Sequence, residues 1–196
     1  MKEIRTTTNK YLKQQLSSNE IRREEILKST SKGTVIIDGN YGTIRFERQI
    51  NHPKEIIWNA ITDQKEIFRW LPDYKGIFEK NKDGTIDLLN VVSGSHVTGK
   101  VLCYDLYRVF EHEWHIAPNQ MFSKGEPESV IRWEFEVDGK SGTLVVVTHT
   151  HLTKSTALTF APGWHAYLDR LESVLSNQEP PNWAHRFAEV KELYST

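Results

Sequence analysis

The sequence is short of several things, and each shortage closes off a class of answer. Cys103 is the only cysteine in 196 residues, so no internal disulfide can hold the fold. No apolar run approaches the roughly 18 residues that a membrane-crossing helix needs, and Met1–Thr6 lacks the apolar stretch of a secretory signal. Together these absences lead us to expect a cytoplasmic protein with no membrane span. Neither sign of charge is in excess: 25 Lys and Arg stand against 26 Asp and Glu, a formal net charge of −1. That gives no electrostatic footprint for nucleic acid or an anionic membrane. There is no phosphate-cradling glycine loop and no Gly-x-Ser-x-Gly elbow. What the chain does have is aromatic bulk. Six Trp, seven Tyr and eight Phe are enough for a core and for an aromatic-lined pocket besides.

The strongest periodic signal comes late, in Ala161–Leu175. Trp164, Leu168, Leu171 and Leu175 recur at i, i+4, i+7 and i+11 and so share one face of a helix. Pro162 fits its first turn, where the missing N–H costs nothing. Asp169, Arg170, Glu172 and Ser173 fall on the other side. Nearly everything before this helix reads as strand, so its stripe needs a sheet to bury against. Val35–Ile37 is a short apolar run closed by the turn signal Asp38-Gly39-Asn40, and Thr43–Ile50 alternates with period two. Pro53 opens a helix over 54–61, and Asp63 caps a second that runs through Trp70. Strands are expected at about 74–80, 84–92, 96–106, 108–116, 129–138 and 142–152. The turns between them are Asn81–Gly84, Ser93-Gly94 and Asp138–Gly142. Ala117–Pro127 is longer than a hairpin loop requires, a length found in lids and binding loops. The order is strand, two short helices, six strands, long helix, which makes an α+β domain. An antiparallel sheet of about seven strands must curl, and curled around one helix it leaves an interior wider than side chains fill.

Three parts follow from composition. Residues 1–32 are polar with sparse apolar positions and read as a helical extension, with Asn19 capping Glu20–Lys28. It is expected to be a surface helix or a partly ordered extension, the sharper alternative being an arm that packs on the body or on a second subunit, the latter making a homodimer. The body is 33–178. Residues 179–196 form a tail in which Pro180-Pro181 precedes a short helix over Trp183–Leu193.

The candidate chemistry is sparse beside the candidate binding surface. His149-Thr150-His151 on one strand puts two imidazoles on the same face, near His112 and His115. A metal needs at least three converging ligands, and His112 and His115 point to opposite faces of a regular strand. No metal and no cofactor is expected. Acid/base chemistry would use His112, His149 or His165 beside Glu134 or Asp169. Alternation, however, sends Trp133 and Phe135 inward and Glu134 and Glu136 to solvent, so no catalytic residue is assigned. Cys103 has no basic setting and reads as a small core residue. The aromatic set is the better signal. Trp70, Phe110, Trp114, Trp133 and Phe135 fall on inward faces, and Trp164 and Leu168 lie on the helix stripe. With His112, His165 and Arg48 as the few polar groups, they form a candidate site for a small hydrophobic molecule. Arg48 interrupts the apolar face of Ile44, Phe46 and Ile50, so it escapes at the strand end or meets a buried acid or a ligand anion.

Three segments also carry a family resemblance. Asn51–Asp63 followed by Arg69-Trp70, Phe110-Glu111-His112-Glu113-Trp114, and Val147–Leu152 with Gly163–Leu171 occur in the right order. They resemble the START-like (SRPBCC) helix-grip superfamily of polyketide cyclases and lipid-transfer domains, in the branch named for the activator of heat-shock protein 90 ATPase. The resemblance covers roughly residues 43–176. It implies a curved sheet gripping a long C-terminal helix around a cavity for a hydrophobic or aromatic ligand, lipid or polyketide-like. Two alternatives go with it: an acid/base enzyme of cyclase or hydrolase type in the same cavity, and a co-chaperone-like protein-binding domain.

Overall fold

Apolar residues at every second position turn Tyr41–Ile50 (β2) into a ten-residue strand with Ile44, Phe46, Arg48 and Ile50 facing inward. Thr34–Asp38 (β1) pairs with it through a two-residue turn, Gly39-Asn40, in which Gly39 takes φ 58°. The computed structural model describes residues 32–126, 128–137 and 142–195. The helix expected after Asn19 and the turn expected around Gly139 lie outside them.

Lys54–Thr62 (α1) and Gln64–Trp70 (α2) follow, and the Asp63 side chain caps α2 by accepting from the Lys65 N–H at 3.0 Å. Then come Tyr74–Phe78 (β3), Thr85–Asn90 (β4), His96–Asp105 (β5), Val109–Glu113 (β6), His115–Ile116 (β7), Val130–Val137 (β8) and Thr143–Thr153 (β9). All pair antiparallel in the spatial order β1-β2-β9-β8-β6-β5-β4-β3, with β7 against β5. Among the described residues there are nine strands, against about seven expected. Thr34–Asp38 adds one. The single strand expected over 108–116 is broken at Trp114, whose N–H bonds the Ser129 carbonyl at 2.8 Å. The curved sheet grips Lys154–Leu175 (α3), and Trp183–Val190 (α4) with a 3-10 turn at Lys191–Tyr194 completes the tail.

Two expectations about α3 need correction. The helix begins at Lys154, not near Ala161, because the Thr153 hydroxyl accepts from the Thr156 N–H and starts it there. Pro162 therefore sits inside the helix and leaves the Leu158 carbonyl without its i+4 donor. Leu158 is exposed, so water can take that bond. The polar positions do not form an outer face either. Arg170 is buried, and Asp169 and Glu172 reach Arg48 on β2. The helix is covered on one side by the sheet and on another by α4. Its end is well specified: Asn177 takes φ 53°, Gln178 N–H bonds the Ser173 carbonyl and Asn177 N–H the Val174 carbonyl, the paired bonds of a Schellman stop. Cys103, expected in the core, is only half-buried.

Helix and sheet approach tightly at Gly42, where a Cβ would lie 2.4 Å from the Ala157 Cβ. Gly42→Val should therefore destabilise the fold by about 1–3 kcal/mol through overpacking, read as a lowered urea midpoint. Adding Ala157→Gly should recover part of the loss.

Candidate ligand-binding cavity

Strand register builds the concave face in rows. Ile44, His149, Ile131 and His112 align across β2, β9, β8 and β6, and the next row holds Phe46, Val147, Trp133 and Phe110. Residues aligned in this way point to one side of the sheet. His112 and His149 thus flank Ile131 on neighbouring strands, with backbones about 10 Å apart.

At this end of the fold the helix does not close on the sheet. A cavity of about 640 Å³ lies between them, within the range of small-molecule sites. Trp70, Trp114, Trp133 and Trp164 line it together with His112. These are five of the ten positions singled out from the sequence. The other five lie elsewhere. Phe110 and Phe135 pack on Trp58 of α1, with ring centroids 6.1 and 5.3 Å away, and Leu168 is buried in the same core. Arg48 and His165 face the opposite flank of α3. Arg48 meets two partly exposed acids, with Nε 3.1 Å from Glu172 and Nη2 3.7 Å from Asp169. His165 Nδ1 is 2.9 Å from the Tyr194 hydroxyl, which accepts from the Gly33 N–H.

The structure adds wall residues that sequence reasoning left out. The loop after β7 contributes Met121 and Phe122, the latter edge-on to Phe160 of α3 at 5.3 Å. Glu126 ties that loop to the start of α3, accepting from the Thr153 N–H at 2.8 Å and its hydroxyl at 2.7 Å. From α4 come Trp183 and Phe187, an i, i+4 pair stacked at 5.1 Å, with Trp183 also 5.3 Å from Tyr167. Arg186 holds α4 in place by donating to Asp169 at 2.7 Å.

His149 is the other addition. It is 1% exposed, lines the cavity, and accepts from the Trp164 indole N–H at 3.0 Å on Nδ1. The sequence led us to expect His151 on the same face, and it is not there. The β2–β9 register slips between Gly42 and Ile44, His151 takes φ 56°, and its side chain is exposed. A bulge inserts the extra residue that reverses its direction. His112 donates from Nδ1 to the Glu113 carbonyl at 3.0 Å, which leaves its Nε2 with a lone pair. Among the described residues no three His, Cys, Asp or Glu side chains gather into a metal-binding group.

Residues 51–176 match the model of the family described as Activator of Hsp90 ATPase homolog 1-like protein. The chain belongs to that family. Its START-like, helix-grip architecture recurs in solved structures. MLL2253 from Mesorhizobium loti superposes with a TM-score of 0.60 at 22% identity, over 69% of this chain and 97% of that one. CalU16 from Micromonospora echinospora gives 0.59 at 21%, over 83% and 92%. EF2215 from Enterococcus faecalis, a conserved protein of unknown function, gives 0.60 at 16%, over 87% and 95%. Likeness at these identities is likeness of fold. No curated protein sequence matches the chain. The family segment ends at residue 176, so the α4 wall of the cavity lies beyond it. No helix among the described residues is long and apolar enough to cross a membrane.

Burial holds three imidazoles of this family member neutral. It pushes His149 down to about 3, helped by neighbouring His112, and His112 itself to about 4. His165 is also pushed to about 4, by burial first and then by Arg48 and Arg186 against the opposing pull of Asp169. In the unfolded chain an imidazole titrates near 6.5. Between roughly pH 6.5 and 4 the unfolded chain thus binds more protons than the folded one. Their contribution to stability is complete above about 6.5 and is lost as pH falls toward 4, by up to about 1.4 kcal/mol per pH unit for each imidazole. Urea melts stepped through this window should show that slope, and His112→Phe should flatten it by about one proton's share. A wild-type midpoint constant from pH 6.5 to 4.5 would contradict it.

Proposed function

We propose that this protein is a cytosolic, non-enzymatic binder of a small hydrophobic or aromatic molecule, held between the sheet and α3. The observation that carries this reading is the cavity of about 640 Å³ with five tryptophans, Trp183 among them, in its wall. An apolar concavity with a few placed polar groups is how small-molecule sites are built. Val92 and Met121, both strongly exposed, stand at its rim and give a guest a route in.

The acid/base alternative has less support. General acid/base work needs a group titrating near the working pH, whereas His112 and His149 are held far below it. Neither is paired with a carboxylate among the described residues. The co-chaperone alternative rests on the family's description alone, and a shared fold does not carry a function with it.

Native mass spectrometry of the purified protein should find a retained small molecule, or else saturable uptake of one equivalent of 1-aminoanthracene. Ile131→Trp, which fills the space between His112 and His149, should weaken that uptake at least tenfold while the melt stays cooperative. A wild-type protein that retains nothing and takes up no dye would remove the reading.

A further inference from the structure

Two hydrogen-bond donors on the cavity wall find no acceptor among the described residues. His149 accepts from Trp164 on Nδ1, so the neutral ring carries its proton on Nε2. That nitrogen is buried and has no partner among the described residues. The Trp183 indole N–H is likewise buried and without a partner among those residues, and both side chains line the cavity. Folded proteins leave few buried donors unmade, because desolvating one without a bond is unfavourable, and each asks for an explanation.

The rest of the wall narrows what could accept from them. Arg170 is the one Lys or Arg among the described residues that line the cavity. Its Nε already donates to the Trp70 carbonyl at 3.0 Å and its Nη1 to the Pro181 carbonyl. Asp73 lies on the same wall and attracts it. Two of the guanidinium's five N–H donors are thus spent on backbone carbonyls, and a carboxylate guest would have to compete with Asp73 for the rest. Flat surfaces, by contrast, are plentiful: Trp70, Trp133 and Trp164 run edge-to-face, with centroids 6.2 and 5.6 Å apart. Rings pack against rings in such settings with little loss of freedom.

We propose that the cavity takes a flat, uncharged aromatic ketone whose carbonyl oxygen accepts from the His149 Nε2–H. Trp164 is the positioning residue: by donating to Nδ1 it fixes the tautomer that presents a proton on the other nitrogen. Trp183 offers a second place for an oxygen, and the His112 Nε2 lone pair suits a hydroxyl on the same guest. This inference rests on the binding function proposed above and adds the chemistry of its ligand.

The test uses the full chain and two probes that differ only by a carbonyl, 9-fluorenone and fluorene, with laurate as the charged comparison, in equilibrium dialysis. The wild type should bind fluorenone about five- to tenfold more tightly than fluorene, the worth of one neutral hydrogen bond, and laurate more weakly than either. His149→Phe should bring the two hydrocarbon skeletons to parity while fluorene still binds. Trp164→Phe should reduce the preference, and the ¹⁵N shifts of His149 should change from a single Nε2–H form to a mixture. Equal binding of fluorenone and fluorene, a preference that survives in His149→Phe, or tighter binding of laurate would each overturn the inference while leaving a hydrophobic binder. Failure of all three probes to bind would take the binding function down with it. The wild-type ratio needs no variant, so a poorly folding His149→Phe protein leaves the matter decidable.

Discussion

The open end of this fold is organised by one bond, from the Trp164 indole on α3 to His149 Nδ1 on β9. Elsewhere the helix lies directly on the sheet, as close as Gly42 and Ala157 allow. Past that point it must stand off, and large rings set the distance. Trp164 and Phe160 both reach His149, with ring centroids 5.9 and 6.1 Å away, and Trp164 continues to Trp133. Rigid aromatic side chains with few torsions hold such a spacing better than flexible aliphatic ones would. The bond also selects the tautomer of His149, so one contact fixes both the geometry of the wall and its chemistry.

The opposite flank of α3 does a different job. Arg48, Glu172, Asp169, Arg186 and Glu189 form a chain of ion pairs there, beside the His165–Tyr194–Gly33 bonds. Burial lowers the Arg48 pKa and raises that of Glu172, each opposed by the other's charge. Desolvation of this kind leaves a buried pair with little net stabilisation, but breaking one member exposes an uncompensated charge. The cluster is therefore best understood as positional. Asp169 draws Arg186 in, Arg186 belongs to α4, and α4 in turn sets Trp183 and Phe187 against the cavity. A polar network on one side of the helix thereby holds an apolar wall on the other.

The sequence made faces legible, and ends much less so. Period-two alternation placed Trp133 and Phe135 inward and Glu134 outward, and burial agrees. It has no means of showing that Trp133 borders the cavity while Phe135, two residues on, packs beneath Trp58. That depends on where α1 sits, a contact distant in the chain. His149 was visible as one of a pair with His151, but the bulge that separates them leaves no mark in the local pattern beyond Gly42 on the partner strand. Arg48 was legible as an anomaly on an apolar face. Its partners were not, because the helix positions carrying them looked like a solvent side. The start of α3 was misplaced since proline is so often a first-turn residue, and here it is not. The α4 wall had only the Trp183, Phe187 spacing to announce it, inside a tail otherwise polar.

The cavity is itself an argument. A sealed, dry void destabilises a core by ~24 cal/mol per Å³. The space of about 640 Å³ here opens at Val92 and Met121 and is not a void of that kind. Water or a guest fills it. Water is poorly held among Trp70, Trp114, Trp133 and Trp164, which give it few bonds. A guest that covers those rings and also meets the His149 proton releases that water and satisfies the donor at once. The cavity, the unmade bond and the stand-off of the helix are then three aspects of one arrangement, and none has an evident use in a protein whose only task is to fold.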